Sequence, residues 1–345
     1  MEPEISYLIV SFNSEKYISK CITSILNKSH TNFEIIVIDN NSKDGTISTV
    51  ENFCTKNKQI KLITNTTNIG YANAIAKGIE HSQGEFLAIL NADSFLDKNW
   101  TSNLLRAFIS DNKIMSASGT IYLPSGELQS SGGMMDKYGA VIQRGSKSFF
   151  LRNIKNTNFF YNDGSSFMVR RQIFQETSFD PKLFLYYEDV DLSWKIRMLG
   201  YKIEHVSDAI SYHDVGHSFS DVTLTKFYYM ARNRLYVCQK NYSLKNVICR
   251  IPTMLLLIFL NAIFYDFSKK QKGYTWNFFK AIGWNLINLR CTFKEQKRLR
   301  SINKITDSEL DEYLIKRSVE IAYLDRKSTR LNSSHIQKSR MPSSA

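Results

Sequence analysis

Cysteine is scarce in this sequence and follows no recognisable spacing. The 345 residues include five cysteines, an odd number, and no two of them form a Cys-x-x-Cys pair. This pattern argues against a disulfide framework, a zinc finger and a dithiol redox site, and it favours a reducing compartment. A chain of this length can bury a sufficient core without covalent cross-links.

Other familiar signals are missing as well. The N-terminus has no basic stretch followed by an apolar one, so we expect no signal peptide. The sequence contains no internal repeat. It also lacks a Gly-rich, basic phosphate loop near the N-terminus, which a nucleotidyltransferase that makes activated sugars would need.

Positive charge is concentrated in one part of the chain. The formal net charge is +13, but residues 1–240 carry 26 basic and 24 acidic residues, whereas residues 241–304 carry 12 and 2. The nearly neutral N-terminal part argues against a body that binds nucleic acid. The basic excess surrounds the apolar segment 251–264, whose length is more typical of a buried or interfacial helix than of a full membrane span. Apolar surface beside clustered cations favours contact with an anionic membrane leaflet, and a core helix is the alternative.

These changes in composition divide the chain into three parts. We predict an α/β domain over residues 1–240 and a basic, partly apolar helical region over residues 241–325 that docks on a membrane. Residues 326–345 are polar, basic and aperiodic. We expect this tail to be disordered or non-native and to carry no chemistry.

The first hundred residues alternate short apolar runs with helical patterns. The apolar runs are rich in β-branched or aromatic residues and are typical of strands buried on both faces. They lie at residues 5–12, 33–39, 60–64 and 86–91, with helices predicted at 15–27, 44–57 and 70–81. Repetition of strand and helix predicts an open, mostly parallel, Rossmann-like sheet with flanking helices.

Polar residues follow three of these predicted strands. Asn13 follows the first strand, Asp39 ends the second, and Asn91 and Asp93 come at the end of the fourth. Ligands in open α/β sheets bind beyond the carboxyl ends of the strands. Carboxylates at that edge can bind a divalent cation, which in turn binds the phosphates of a nucleotide. An Asp in such a position is more often only a turn former or a helix cap.

A second acidic cluster, residues 188–191 (EDVD), opens a predicted helix over residues 188–199. Aromatic residues at 183–187 precede it and suggest a partly dry site. A carboxylate there would have a raised pKa and would act as a general base toward an acceptor hydroxyl. An ordinary acidic first turn explains the spacing equally well. His213 lies in a later segment, and a neutral imidazole can complete a metal site with carboxylates.

Seven short motifs follow one another over residues 5–240. They are VSFN, IDNNSKDGT, NIGYANAIAKG, LNAD, GSSFMVRR, FLYYEDVDLSWKIRMLGY and HDVGHS. In this order they resemble the family 2 glycosyltransferases of the GT-A fold. The resemblance is strongest to the rhamnosyltransferase-like branch of bacterial cell-surface polysaccharide synthesis.

The resemblance implies an inverting sugar transfer in which the acceptor attacks the donor directly and one carboxylate acts as the base. Asp189 matches the second acid of the family's ED motif and is the expected base. Asp93 matches the last acid of the DxD-like motif, which binds the metal and the diphosphate. His213 matches a metal-ligand histidine of related members. Asp39 matches the acid that contacts the nucleotide base.

Further residues of the predicted site flank these. Asn13 lies where the nucleotide is held, and Asn91 opens the DxD-like motif on the donor side. Three residues are predicted on the acceptor side: Glu188, Asp191 and Trp194. Trp194 matches an aromatic residue that either lines the acceptor site or packs, and Asp191 is an alternative base.

The resemblance also implies a divalent cation, Mg²⁺ or Mn²⁺, and a nucleotide-diphosphate donor such as dTDP-rhamnose or a UDP-hexose. The acceptor would be a saccharide or a lipid-linked saccharide in the synthesis of O antigen or capsule. We expect the protein at the cytoplasmic face of the bacterial inner membrane, where it contacts the membrane surface and no nucleic acid.

The sequence departs from the family pattern in its donor motifs. Asn91 replaces the first acid of DxD and Ala92 replaces a frequent Pro, so cation binding would rest on Asp93, His213 and phosphate oxygens. Ala76 stands where relatives often have Asn. Two other function classes remain open at this stage, namely a nucleotidyltransferase that makes activated sugars and a non-enzymatic membrane-associated binding module.

Overall fold

The structure is a computed structural model that describes residues 3–27, 32–145, 159–214, 222–269 and 271–322. The predicted tail at 326–345 lies outside these residues. The strands are β1 (Ile5–Ser11), β2 (Phe33–Asp39), β3 (Ile60–Thr64), β4 (Phe86–Asn91), β5 (Ser94–Leu96), β6 (Ile114–Tyr122), β7 (Leu128–Ser130), β8 (Gly133–Met135), β9 (Val141–Gln143), β10 (Ser166–Arg170) and β11 (Lys202–His213). The helices are α1 (Glu15–Leu26), α2 (Thr46–Lys56), α3 (Tyr71–Glu80), α4 (Trp100–Ser110), α5 (Glu188–Met198), α6 (Leu224–Asn241), α7 (Leu244–Ser268), α8 (Tyr274–Ile287), α9 (Leu289–Ile302) and α10 (Asp307–Glu312).

The first four strands form the parallel half of the main sheet, in the order β3-β2-β1-β4. Ile9 in the middle of β1 pairs with Val37 on one side and Leu90 on the other. Every residue of β1 is buried, because helices cover both faces of the sheet. This burial explains why the apolar runs in the sequence are continuous, and the four predicted strands agree with the structure to within one residue.

The second half of the sheet is mixed. Strand β10 lies antiparallel between β4 and β6, β11 runs parallel to β6, and the short β5 closes the edge antiparallel to β11. The prediction of a mostly parallel sheet therefore holds only for its first half. The antiparallel strand β10 matters for function, because it brings the segment before residue 166 to the carboxyl end of β4.

The C-terminal helices pack against the α/β part through α6. One buried apolar cluster contains residues of the sheet, such as Leu8, together with Met254 of α7 and Phe278 of α8. Polar contacts join the same parts, because the Arg234 guanidinium forms two bonds, of 2.8 and 3.0 Å, with the Glu320 carboxylate. Residue 240, the predicted boundary, lies in the last turn of α6, and α6 packs against both parts.

Helix α7 is longer than the apolar segment that predicted it. It runs for 25 residues because Ser243 caps its start, where the Ser243 hydroxyl accepts from the Asn246 N–H. Among the described residues, it is the one helix long and apolar enough to cross a membrane by length and composition, and its most apolar 18-residue window has a mean hydropathy of 2.2. Of its most apolar window, 28% is buried. This fraction is low for a core helix.

Candidate active site

A cavity of about 730 Å³ opens beyond the carboxyl ends of β1, β2 and β4. This is the edge at which open α/β sheets bind ligands. The four acidic residues in its wall come from three separate segments of the chain and are Asp93, Asp163, Glu188 and Asp189. His213 and Lys226 also line it. The fold therefore gathers, in a single space, acids that are nearly a hundred residues apart in sequence.

Asp93 and His213 lie together in the wall of this cavity. The His213 Nε2 is 3.1 Å from the Asp93 Oδ1, and the main chains of the two segments are joined by a bond from the Asp214 N–H to the Asp93 carbonyl at 2.9 Å. Pairing of β11 with β5 aligns them, because His213 is opposite Ser94. His213 is buried, whereas the Asp93 carboxylate is 30% exposed to the cavity.

These two side chains fit a divalent cation. Within the described ranges, no group of three or more His, Cys, Asp and Glu side chains could enclose a metal ion. An open pair of one carboxylate and one imidazole suits an ion that takes its other oxygen ligands from a bound diphosphate. Asp93 and His213 are therefore the residues that would hold a metal carried in with a nucleotide.

Asp189 opens α5 and faces the same cavity. Its Oδ2 accepts the Gly164 N–H at 2.9 Å, and its Oδ1 accepts the Val190 N–H at 2.8 Å. Burial, together with the charge of Asp163, raises the pKa of Asp189 to about 7. At neutral pH the carboxylate is thus poised to take up a proton.

Glu188 precedes Asp189 in α5, and its carboxyl group has a different environment. Burial, and then the charge of Asp189, raises the pKa of Glu188. Its Oε2 is buried without a hydrogen-bond partner in the described part of the chain. Asp189 has two N–H donors that stabilise its charged form and therefore ionises first of the pair.

The backbone of the loop before α5 has an uncommon conformation. Tyr186 and Tyr187 have φ angles of 68° and 73°, in the left-handed region that costs a bulky residue about 1–3 kcal/mol. Asn233 of α6 holds this loop, because its Nδ2 donates to the carbonyls of Leu185 and Tyr186 at 2.8 and 2.7 Å. The Tyr187 hydroxyl donates to the Gly139 carbonyl at 2.8 Å. These bonds fix the direction in which Asp189 enters the cavity.

The residues predicted to bind the donor differ in whether they reach the cavity. Asn13 and Asn91 line the cavity, and the Asn13 Oδ1 accepts the Lys43 N–H at 2.8 Å. Asp39 is fully buried beneath them and does not line the cavity. Its carboxylate accepts from the Ser11 hydroxyl at 2.9 Å and from the Ser42 N–H at 2.8 Å. In this structure Asp39 holds the loop that carries Asn13 rather than facing a ligand.

Two residues predicted on the acceptor side lie elsewhere. Asp191 is 1% exposed and bonds with Lys195 at 2.6 Å and with Lys240 at 3.0 Å. Trp194 is fully buried and packs edge-to-face on Phe160 and Tyr242. Neither side chain lines the cavity. Of the three residues predicted on the acceptor side, Glu188 is thus the one that lines the cavity, whereas Asp191 and Trp194 are buried away from it.

Sequence reasoning missed Asp163 and Tyr71, two polar residues that line the cavity. Asp163 is held by the Ser165 N–H and hydroxyl, at 3.1 and 2.8 Å. The Tyr71 hydroxyl donates to the Gly164 carbonyl at 3.1 Å and so steadies the same loop. The NDGSS segment contains Asp163, but its local sequence is typical of an ordinary turn.

Known proteins share parts of this sequence. An Escherichia coli protein named UDP-Glc:alpha-D-GlcNAc-diphosphoundecaprenol beta-1,3-glucosyltransferase WfgD is 34% identical over 106 residues, which cover 31% of this chain and 40% of that one. The chain spans less than half of the length of the curated relatives that it matches.

Solved structures share the fold. S. aureus TarS 1-349 superposes with a TM-score of 0.55 at 18% identity, over 94% of this chain and 92% of that one. The mannosyltransferase PcManGT from Pyrobaculum calidifontis, solved with GDP-Man and Mn²⁺, also gives 0.55, at 14% identity, over 88% and 86% of the two chains. Together with the mixed sheet and its cavity, these superpositions identify the GT-A fold. The sequence profile of Glycosyl transferase family 2 matches residues 6–178, half of the chain, and the protein belongs to that family.

Proposed function

We propose that this protein transfers a sugar from a nucleotide-diphosphate donor to a hydroxyl group of a saccharide or lipid-linked acceptor in cell-surface polysaccharide synthesis, with inversion at the anomeric carbon. One observation carries the proposal. Asp189, whose pKa is raised to about 7, shares one cavity with the pair Asp93 and His213. The family and the resemblance of the motifs support the same reaction.

In the transfer step, Asp189 takes the proton of the acceptor hydroxyl as the hydroxyl oxygen attacks the anomeric carbon. The new carbon–oxygen bond forms while the bond from that carbon to the diphosphate oxygen breaks, and the nucleoside diphosphate leaves. A single displacement of this kind inverts the configuration. A carboxylate with a pKa near the working pH is an efficient base, because much of it is ionised and it still binds a proton well.

On the donor side, Asp93 and His213 would hold Mg²⁺ or Mn²⁺. When bound, the ion neutralises the diphosphate and stabilises it as a leaving group. Asn13 and Asn91 line the part of the cavity in which we place the nucleotide, and Asp39 supports that part from below. We propose dTDP-rhamnose or a UDP-hexose as donor, and the UDP-Glc for which the E. coli relative is named favours UDP.

Transfer assays with Asp189→Asn test this function. The variant removes proton acceptance and keeps the shape, so we expect loss of transfer with almost unchanged donor binding. UDP-hexoses and dTDP-rhamnose would be screened with Mn²⁺, and binding would be followed by thermal shift. Near-normal turnover of the variant contradicts the proposed base.

The same assays separate the alternative functions. Release of pyrophosphate from a nucleoside triphosphate and a sugar 1-phosphate would instead show a nucleotidyltransferase. A wild-type protein that binds vesicles and neither transfers nor hydrolyses any donor would be a binding module.

We also propose that the protein docks on the cytoplasmic face of the inner membrane through its C-terminal helices. Exposed apolar side chains form an outward stripe on α7 and another on α8; we call them the apolar face. Its members are Leu244, Ile248, Leu256, Leu260, Trp276, Phe279 and Leu286. The same helices and α9 carry exposed cations, among them Lys245, Lys280, Arg290 and Lys294. Cations around an apolar surface complement an anionic leaflet, at about 1 kcal/mol each.

The inward side of α7 favours docking in the membrane plane over spanning. Arg250 pairs with Asp311, and the Asn261 amide donates to the Glu320 carboxylate. Asp266 accepts the N–H groups that begin α8. A spanning helix would separate Arg250 and Asp266 from these partners and bring both charges toward the lipid. In the plane, these bonds stay in the protein while the apolar face enters the lipid.

Vesicle flotation tests the docking surface. We expect the wild-type protein to float with vesicles that contain phosphatidylglycerol, and the double variant Leu256→Glu with Phe279→Glu to stay in solution. The matched control is Ile109→Glu, which changes an exposed apolar residue on α4. Equal flotation of the double variant and the control argues against this surface.

A further inference from the structure

Gln129 contacts the ring nitrogen of His213 that Asp93 does not contact. The Gln129 Nε2 lies 2.9 Å from the His213 Nδ1, whereas the His213 Nε2 faces Asp93 at 3.1 Å. Both Gln129 and His213 are buried. Strand β6 sets their positions, because β7, which carries Gln129, and β11, which ends at His213, both pair with it.

The contact with Gln129 decides which nitrogen of a neutral His213 carries the hydrogen. An amide NH₂ only donates, so in the observed arrangement Nδ1 accepts and Nε2 carries the hydrogen. That hydrogen lies between Nε2 and the Asp93 carboxylate. A cation at the same place needs the lone pair of Nε2, so Nδ1 must then carry the hydrogen and find an acceptor.

The Gln129 side chain can supply that acceptor by reversing its amide. Its Oε1 is buried and has no hydrogen-bond partner among the residues that the structure describes. No second bond therefore fixes the amide in one orientation. The two ends of an amide have nearly the same shape, so a half turn replaces the NH₂ donor with the carbonyl acceptor and leaves the packing unchanged.

We propose that Gln129 is a positioning residue for the cation site, because reversal of its amide lets His213 exchange a hydrogen on Nε2 for a metal ion. The inference rests on the proposed role of Asp93 and His213. With the cation bound, the His213 Nδ1–H donates to the Gln129 Oε1 and the ring is held with its Nε2 lone pair toward the ion. Without the cation, the amide turns back and Nε2–H bonds with Asp93.

Three measurements on the full chain test the role of Gln129. Mn²⁺ affinity in the presence of UDP is measured by electron paramagnetic resonance, and UDP affinity without metal by calorimetry. Nitrogen-15 NMR of His213, with and without Mg²⁺ and UDP, reports which ring nitrogen carries the hydrogen. The variants are Gln129→Met, which has a similar shape and no hydrogen bond, and Gln129→Glu, which can accept from Nδ1. Gln175→Met, at an exposed glutamine, is the control.

We expect the hydrogen of His213 to move from Nε2 to Nδ1 when Mg²⁺ and UDP bind. Gln129→Met should lose about tenfold or more in Mn²⁺ affinity, the range seen when a partner of a ligand histidine is removed. Gln129→Glu should retain that affinity, and UDP affinity without metal should stay the same. A folded Gln129→Met that binds Mn²⁺ like wild type overturns the inference, as does a hydrogen that stays on Nε2.

The variant Asp93→Ala separates this inference from the proposed function. If Asp93→Ala weakens Mn²⁺ binding and Gln129→Met does not, the result contradicts only the role of Gln129. If neither variant changes Mn²⁺ affinity, the result contradicts both the role of Gln129 and the proposed cation site at Asp93 and His213.

Discussion

The backbone N–H of Gly164 donates to the Oδ2 of Asp189 at 2.9 Å, and a methyl group at position 164 would lie 3.1 Å from that same oxygen. The bond joins the loop before β10 to the start of α5. It stabilises the ionised form of Asp189 and fixes one of the two oxygens that could accept a proton. A side chain at position 164 would press on the carboxylate, which would have to shift by a few tenths of an ångström.

Gly164→Ala should lower kcat by about three- to tenfold, because the added methyl group displaces the carboxylate by a few tenths of an ångström from its place in the cavity. Steady-state kinetics at saturating donor and acceptor measure the change. The control is Gly283→Ala in α8, where the added methyl group has open space and helix propensity favours alanine. Equal kcat values for the two variants would show that Gly164 does not position the base.

Turnover should rise with pH through about 7, because Asp189 must be ionised to accept a proton and its pKa is raised to about that value. Asp163 contributes to the shift through its negative charge, so Asp163→Asn should move the midpoint of the kcat profile to lower pH. Rates measured from pH 5 to 9 check both expectations. A flat profile, or a midpoint that rises in Asp163→Asn, contradicts them.

Asp189→Asn should be more stable than wild type at neutral and alkaline pH when no metal is present. The folded pKa of Asp189 is raised above its unfolded value of about 4, so folding favours the protonated form. The wild-type protein therefore loses stability as pH rises from about 4 to about 7. We expect a gain on the order of 1–3 kcal/mol for the variant at pH 8, since one pKa unit corresponds to about 1.4 kcal/mol.

Urea denaturation at several pH values measures this gain, and Asp208→Asn, at an exposed acid, is the control. A variant as stable as wild type at every pH would mean that Asp189 is not held in an unfavourable environment.

Asp191→Asn should lower stability and leave the chemistry in place. The change removes a charge from a buried network with Lys195 and Lys240, and loss of one buried partner costs about 3–5 kcal/mol. The Asn241 amide, which donates to Asp191 at 2.8 Å, can still bond to the variant. Turnover per folded molecule, assayed at low temperature, should stay near that of wild type. Loss of turnover in a folded variant would favour Asp191 as the base.

Strands β1, β2 and β4 were predictable because each is buried on both faces, which makes its sequence a nearly continuous apolar run. The place of β10 was not predictable. Its antiparallel pairing joins residues about eighty positions apart, such as Met168 and Ala88, and a local pattern does not encode a distant partner. Asp163 was missed for the same reason, because it reaches the cavity only through the pairing of the segment that follows it.

The placement of Asp191 and Trp194 could have been corrected from the sequence. Successive residues of a helix are turned by about 100°, so Asp191 points about 200° and Trp194 about 140° away from Asp189. Only one of the acids at 189 and 191 can face a given cavity. The left-handed pair Tyr186 and Tyr187 gives no such signal, since the contacts that hold it come from α6.

Helices α8 and α9 supply hydrogen bonds to the main chain of α6. The Asn285 amide donates to the Arg232 carbonyl at 3.1 Å, and the Gln296 amide donates to the carbonyls of Gln239 and Tyr242 at 3.0 and 2.8 Å. A version of the protein shortened after α6 would leave these carbonyls and the adjoining apolar side chains in water. Preparations that need no detergent should therefore keep the whole C-terminal part and replace only outward residues such as Leu256.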